Sequence, residues 1–311
     1  MLSILAVNVP IFALIALGYS AVRYRLFPAD GVKALIAFVN NFATPCLLFH
    51  SILTSDFSSA FTLGIIGPFY LGAWICFGIG IVLGRGWLKL PRGESVAFGF
   101  SSMFTNTVLV GLPIMSRAYG DAALPVTLSI IGVHAAILLT TGMVTMELMR
   151  RDGKSLAATL TVAVRRVATN PLIWGIAAGM IASTINLQLI EPAEAFLTMM
   201  SQAVVPVALF GIGGALNEFK LSENWRPAFV ASLMKLILHP AIAYVLMIWV
   251  LHIPMEIARY GILLAAMPAG VNIYVFATYY DRGVSVAANT ILIATILSAV
   301  TISVWLYILG M

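Results

Sequence analysis

The sequence predicts an all-α polytopic membrane protein of about ten transmembrane helices, built as two inverted repeats of five helices. The first observation is composition: 61% of the 311 residues are hydrophobic and only 9% are charged, whereas soluble domains carry about 25% charged residues. The second is length, because apolar segments of roughly 20 residues, enough to cross hydrocarbon, recur along the whole chain. The third is a similarity between the two halves.

Ten apolar segments are separated by short gaps that contain Pro, Gly, Asp and Arg, which are typical of loops. The first segment lacks a basic n-region and a small-residue cleavage motif, so we expect it to be a membrane span and not a cleaved signal. The predicted spans are residues 2–22, 33–53, 62–84, 95–117, 122–149, 171–188, 196–217, 228–250, 257–279 and 284–310.

The distribution of Lys and Arg predicts the orientation of these spans. Fifteen of the 17 Lys and Arg residues fall on the side that holds the first gap, and only Arg117 and Arg259 fall on the other side. Positive residues collect in cytoplasmic loops. We therefore expect a multi-pass protein of the cell inner (plasma) membrane with both termini on the outer, periplasmic side.

A basic cytoplasmic connector, residues 150–170, divides the chain into a first five-helix repeat, residues 1–149, and a second, residues 171–311. Pro45 in span two and Pro206 in span seven lie in similar sequences. Because each half has an odd number of spans, the second enters the membrane inverted. Inverted repeats of this kind are typical of secondary transporters.

Spans four and nine contain residues that interrupt helices. Span four reads FTNTVLVGLP over residues 104–113, and span nine reads AMPAGVNIY over residues 266–274. A break in hydrocarbon leaves backbone groups unpaired, so it persists only where it lines a cavity or meets other protein groups. Breaks at corresponding positions of the two halves predict a substrate site near the middle of the membrane.

Such breaks suit an anion. A helix that restarts at mid-membrane presents free N–H groups and about half a positive charge, and Asn and Thr are good N-caps. Two such ends can hold one carboxylate without a buried Lys or Arg. The alternative is a pair of Pro-kinked helices in which Asn bonds a neighbouring helix. The candidate substrate-binding residues are Thr105, Asn106, Thr107, Gly111, Pro113, Pro268, Gly270, Asn272 and Asn41.

Asn41 joins this set because three polar residues, Asn40, Asn41 and Thr44, precede Pro45 in span two. They can flank the helix breaks and face the substrate path, and contacts between helices are an equal alternative. Ionisable residues within spans are candidates for function. Three of them, His134, Lys235 and His239, are candidate coupling or gating residues. Lys235 and His239 are four residues apart, on one helix face. A structural hydrogen bond for His134 and a Lys235 side chain that snorkels to the cytoplasm are the alternatives.

The motifs Asn106-Thr-x-x-x-Gly111-Leu112-Pro113 and Pro268-Ala-Gly-Val-Asn272-x-Tyr274 resemble the paired crossover motifs of the auxin efflux carrier family, within the bile acid/auxin transporter superfamily. The resemblance covers nearly the whole chain and is strongest to bacterial members of the malonate or organic-acid type. It implies crossed broken helices, a scaffold domain, an elevator-like transport domain, a carboxylate near the crossover and a homodimer. The short middle loop departs from the plant members, so auxin is not the expected substrate.

The expected function is therefore a carrier of small mono- or dicarboxylates, with a proton or sodium ion as possible coupling ion. A sodium-coupled symporter of the bile-acid type and a drug/metabolite exporter are the alternative carriers. No nucleophile–base pair or His-Glu-x-x-His cluster is present, so we expect no enzyme activity, no cofactor and no metal. The basic residues form no face with interleaved aromatics, so no nucleic-acid partner is expected.

Overall fold

A computed structural model describes residues 2–54, 63–150, 161–162, 164–165, 168–219, 221 and 225–311. These residues are nearly all helical. They contain no β-strand, and the only extended pairing among them is an isolated antiparallel bridge between Thr105 and Ala269. The all-helical class expected from the sequence is confirmed, while most of the predicted connector lies outside the described residues.

The described residues of the first half form seven α-helices. They are α1 (Leu2–Arg23), α2 (Ala29–Phe38), α3 (Thr44–Thr54), α4 (Leu63–Gly86), α5 (Arg92–Met103), α6 (Leu112–Tyr119) and α7 (Leu124–Arg150). A π-helical segment, Val39–Ala43, joins α2 to α3, and a second, Thr107–Gly111, leads into α6. A 3₁₀ turn, Gly120–Ala123, joins α6 to α7.

The second half contains a further seven described α-helices. They are α8 (Pro171–Thr184), α9 (Glu191–Ala215), α10 (Trp225–Leu233), α11 (His239–Tyr244), α12 (Met255–Ala265), α13 (Asn272–Tyr280) and α14 (Val284–Ile308). A 3₁₀ turn, Leu216–Glu218, follows α9. Two π-helical segments, Met234–Leu238 and Val245–Val250, flank α11 and make α10 and α11 one continuous rod.

Seven helices among the described residues are long and apolar enough to cross a membrane, which indicates a multi-pass membrane protein. They are Leu2–Arg23, Ala29–Thr54, Leu63–Gly86, Thr107–Met149, Glu191–Glu218, Trp225–Val250 and Val284–Ile308. Predicted spans four and nine are missing from this set because each is interrupted, and span six because α8 has only 14 residues. The count of ten spans and the inverted repeat stay predictions.

The helices fall into two groups by their contacts. In the first packing group, which comprises α1–α3, α8 and α9, α1 packs along α9 and α8 packs along α3. In the second packing group, which comprises α4–α7 and α10–α14, α4 packs along α5 and α10 packs along α14. Each group thus contains helices from both halves of the chain.

Two glycines bring α1 and α9 together at backbone distance. A Cβ atom on Gly18 would collide with the carbonyl oxygen of Phe210, and one on Gly213 would collide with the carbonyl oxygen of Ile15. Small residues at helix contacts permit this close approach, which is typical of helices that pack in a membrane. The contact fixes α1 against α9 without intervening side chains.

Candidate functional site

The two predicted helix breaks are present in the structure. The first break, residues 104–106, separates α5 from the π-helical segment that leads into α6. The second break, residues 266–271, separates α12 from α13. Pro268 lacks an N–H group and disfavours helical backbone at the preceding residue, which explains why α12 ends before it.

The two breaks are hydrogen-bonded to each other. The Asn106 amide donates to the Pro268 carbonyl at 2.8 Å, and the Gly270 amide donates to the Phe104 carbonyl at 3.2 Å. These bonds surround the bridge between Thr105 and Ala269. Backbone groups that the breaks remove from helices thereby regain partners, which is the condition for non-helical backbone at membrane depth.

Three helical segments begin at this place. The Asn106 side chain caps the first, its Oδ1 accepting from the Leu109 amide at 3.1 Å. Asn170 caps α8 in the same way, with Oδ1 accepting from the Leu172 amide at 3.0 Å. The third is α13, which begins at Asn272. Helix N-termini carry unpaired N–H groups and partial positive charge.

A cavity of about 280 Å³ lies where these three N-termini meet. Its lining combines polar side chains with apolar ones, and none of the lining residues carries a permanent charge. They are Asn40, Asn41, Phe104, Thr105, Asn106, Thr107, Val108, Leu109, Ile131, His134, Ala135, Leu139, Asn170, Pro171, Leu172, Gly270, Val271 and Asn272. Helices of both packing groups contribute to this wall.

Three buried polar atoms of the lining have no hydrogen-bond partner: Oγ1 of Thr105, Nδ2 of Asn106 and Nδ1 of His134. Their residues are 1%, 6% and 3% exposed. Buried polar groups are nearly always hydrogen-bonded, because an unmade bond there costs about 1–3 kcal/mol. Three unpaired atoms beside one cavity indicate a site for a polar ligand.

His134 fixes the first break from the side of α7. Its Nε2 lies 3.1 Å from the carbonyl oxygen and 3.3 Å from the amide nitrogen of Thr105. Its ring stands edge-on to Phe104, with the ring centroids 4.8 Å apart. The structural hydrogen bond that was the alternative role for this histidine is therefore present, and the second ring nitrogen, Nδ1, remains unpaired.

The structure brings most of the predicted binding residues to the cavity. Asn41, Thr105, Asn106, Thr107, Gly270 and Asn272 line it, and so does the candidate coupling residue His134. Three others, Gly111, Pro113 and Pro268, do not line it. Pro268 instead supplies the carbonyl that pairs with Asn106. Gly111 allows the segment after the first break to pack closely against α12, since a Cβ there would lie 2.7 Å from Leu264 Cδ1.

Lys235 and His239 lie outside the cavity wall and contact each other. Lys235 Nζ is 3.1 Å from His239 Nδ1, and both residues are fully buried. Sequence reasoning missed Asn170, which it assigned to the connector. The dipeptide Asn170-Pro171 does carry the signature of a helix start, an N-cap residue followed by proline at the first helical position.

The sequence also matches known transporters. Residues 3–306 match the family described as Membrane transport protein, so the chain belongs to this family and is a membrane transporter. This is the family of the auxin efflux carriers, as the break motifs indicated. Among the described residues, no three His, Cys, Asp or Glu side chains are grouped so that they could hold a metal ion.

Three relatives match over nearly their whole length. The chain is 29% identical to the "Putative malonate transporter" of Rhizobium meliloti (strain 1021), over 99% of this chain and 97% of that protein. It is 22% identical to "Auxin efflux carrier component 8" of Arabidopsis thaliana, over 99% and 98%. It is 23% identical to an "Uncharacterized transporter" of Methanothermobacter thermautotrophicus, over 96% of each chain.

Proposed function

We propose that the protein is a secondary carrier of small organic anions, such as mono- or dicarboxylates, which bind where the two helix breaks meet. The observation that carries this proposal is the group of three unpaired buried polar atoms, on Thr105, Asn106 and His134, beside a cavity that three helix N-termini face. The similarity to a protein named as a malonate transporter supports a short carboxylate as the substrate.

An anion fits this cavity better than a cation or an apolar ligand. Helix N-termini present N–H donors and partial positive charge, so they stabilise a carboxylate without a basic side chain. The Asn106 Nδ2 group can only donate, and its partner Oδ1 is already engaged by the cap at Leu109. A carboxylate oxygen is the natural acceptor for such a group.

We further propose an elevator-type mechanism in which the second packing group moves relative to the first. The cavity lies between the two groups: Asn40, Asn41 and Asn170 belong to the first, and both breaks belong to the second. As the second group slides, the substrate would move with the two breaks. A different part of the first group would then line the cavity. The first group is then the scaffold and the site of the proposed homodimer contact.

The proposed setting is the cell inner membrane, with both termini on the periplasmic side. Of the three candidate coupling residues, His134 is the one that lines the cavity. When its Nε2 accepts from the Thr105 amide, Nδ1 carries the proton and can donate to the anion. Gly111, Pro113 and Pro268 act in this proposal through the shape of the breaks and not through contact with the substrate.

The proposal is tested by uptake of radiolabelled malonate into proteoliposomes by Asn106→Ala and Asn272→Ala. Each substitution removes a side-chain amide from the cavity wall. A hydrogen bond to a charged group contributes about 1.5–3 kcal/mol, so we expect uptake at low substrate concentration to fall roughly 10- to 150-fold. Asn8→Ala is the matched control, because Asn8 is also buried but donates to Ser303 in a different part of the protein.

Wild-type uptake by both cavity variants would show that the site is wrongly assigned. A second result would contradict the proposed function itself. This result is that the wild-type protein takes up none of the short mono- and dicarboxylates and is not stabilised by any of them in thermal unfolding. Ligands of the folded state raise its apparent stability, so the unfolding screen detects binding even where transport is slow.

A further inference from the structure

Lys235 is completely buried beside the C-terminal end of α12, the helix that precedes the second break. Lys235 lies in the π-helical segment Met234–Leu238 and is 0% exposed, so its side chain does not snorkel to a surface. Charged side chains inside membrane helices are expensive to bury and mark functional positions. The proposed anion site leaves this residue without a role.

The contacts of Lys235 are all to hydrogen-bond acceptors. Its Nζ donates to the carbonyl oxygen of Ala265 at 2.6 Å and to His239 Nδ1 at 3.1 Å. His239 Nε2 lies 3.0 Å from the Phe69 carbonyl oxygen, so Nε2 carries the proton and Nδ1 is the acceptor. Among the described residues Lys235 forms no ion pair with a carboxylate.

Ala265 is the last residue of α12, and the second break follows it directly. The C-terminus of a helix carries partial negative charge and carbonyl groups without helical partners. In carriers with broken helices, such half-helix ends and the carbonyls beside them coordinate the coupling sodium ion. The ammonium group of Lys235 therefore stands where a cation is favoured.

We infer that Lys235 is a tethered cation, which occupies the end of α12 in place of a dissolved ion and makes anion binding independent of sodium. The inference rests on the proposed carrier function. The broken helix would then hold both signs of charge, with the ammonium at the C-terminus of α12 and the substrate anion at the N-terminus of α13. Phe69 links the two places, its ring centroid lying 5.1 Å from that of His239 and 5.8 Å from that of His134.

The test removes the ammonium and supplies it again from solution. Lys235→Ala leaves a hole of the size of the side chain, and thermal unfolding is measured in choline chloride, sodium chloride and ethylammonium chloride, each with and without malonate. We expect malonate to stabilise the wild type equally in all three salts. In choline the variant should bind malonate about tenfold or more weakly, and ethylammonium or sodium should restore binding.

Three further variants separate charge from packing. Lys235→Met keeps most of the side-chain volume without charge, so it should lose malonate binding and no cation should restore it. Lys235→Arg keeps the charge and should retain binding, which is the readout if the alanine variant does not fold. Lys33→Ala removes an exposed lysine and should behave as the wild type.

The inference is overturned if the methionine or alanine variant binds malonate like the wild type in choline, or if the wild type needs sodium. It is also overturned if the arginine variant behaves like the methionine variant. A wrong substrate class would appear differently: malonate would not stabilise even the wild type. Ethylammonium or sodium would still raise the thermal stability of Lys235→Ala without any anion, and would leave the wild type unchanged.

Discussion

Gly270→Ala tests whether the contact between the two breaks supports the site. A Cβ atom on Gly270 would lie 3.2 Å from Phe104 Cδ1, 3.3 Å from the Thr105 carbonyl oxygen and 3.4 Å from Asn106 Cα. Two of these neighbours are backbone atoms of the first break. The third, Phe104, is held by His134 and by Phe100, whose ring centroids lie 4.8 Å and 5.4 Å from its own. The new methyl group therefore requires the two breaks, or the Phe104 ring held between its neighbours, to shift by a few tenths of an ångström.

The magnitude follows from these contacts. Forcing a methyl group into a packed interior costs about 1–3 kcal/mol. A shift of the breaks also weakens the two hydrogen bonds that join them, each worth about 0.5–1.5 kcal/mol. We expect the free energy of unfolding to fall by about 2–4 kcal/mol, and malonate binding to weaken because Thr105 and Asn106 shift.

The assay is thermal unfolding of purified protein with and without malonate. Gly78→Ala is the control, because Gly78 lies within α4 and a Cβ there has no neighbour within 4 Å. That substitution should leave stability unchanged or raise it by about 0.5–1 kcal/mol, as in other helices. If Gly270→Ala were as stable and bound malonate as well as Gly78→Ala, the tight contact would not be needed.

Two further predictions separate the capping and binding roles of the asparagines by thermal unfolding and malonate titration. Asn106→Ser keeps a good N-cap, so its free energy of unfolding should be retained, whereas that of Asn106→Ala should fall by about 1 kcal/mol. Both variants lack Nδ2 and should bind malonate roughly tenfold or more weakly. Equal malonate affinity in Asn106→Ser and the wild type would exclude contact with Nδ2. Asn170→Asp also keeps a cap but adds negative charge at the cavity, so it should weaken malonate binding about three- to tenfold relative to Asn170→Ser. Indistinguishable affinities of these two variants would place the anion away from α8.

The breaks were predictable because their cause is local. Pro268 cannot continue a hydrogen-bonded helix, and the Asn, Gly and Pro residues of each motif are frequent at helix ends and rare inside apolar helices. The local sequence pattern does not show which backbone groups each break pairs with. The pairing of Asn106 with Pro268 joins distant parts of the sequence, and it depends on how the helices pack.

Other features of the site depend on packing in the same way. The capping signal at Asn170 is visible in the sequence, but its place beside the cavity follows from the packing of α8 along α3. The complete burial of Lys235 depends on α12, which supplies the carbonyl of Ala265, and on His239, which is itself bonded to the Phe69 carbonyl of α4. The π-helical segments Val39–Ala43 and Met234–Leu238 have no recognisable signal in their residues.

The glycine contact between α1 and α9 has a mechanical consequence. At Gly18 and Gly213 the two backbones meet with no side chain between them that could change rotamer and absorb strain. Sliding or rotation at these two positions is opposed by contact between the backbones, so we expect this part of the pair to be stiff. In the elevator-type mechanism proposed above, this contact stays intact, and movement comes from surfaces where longer side chains separate the backbones.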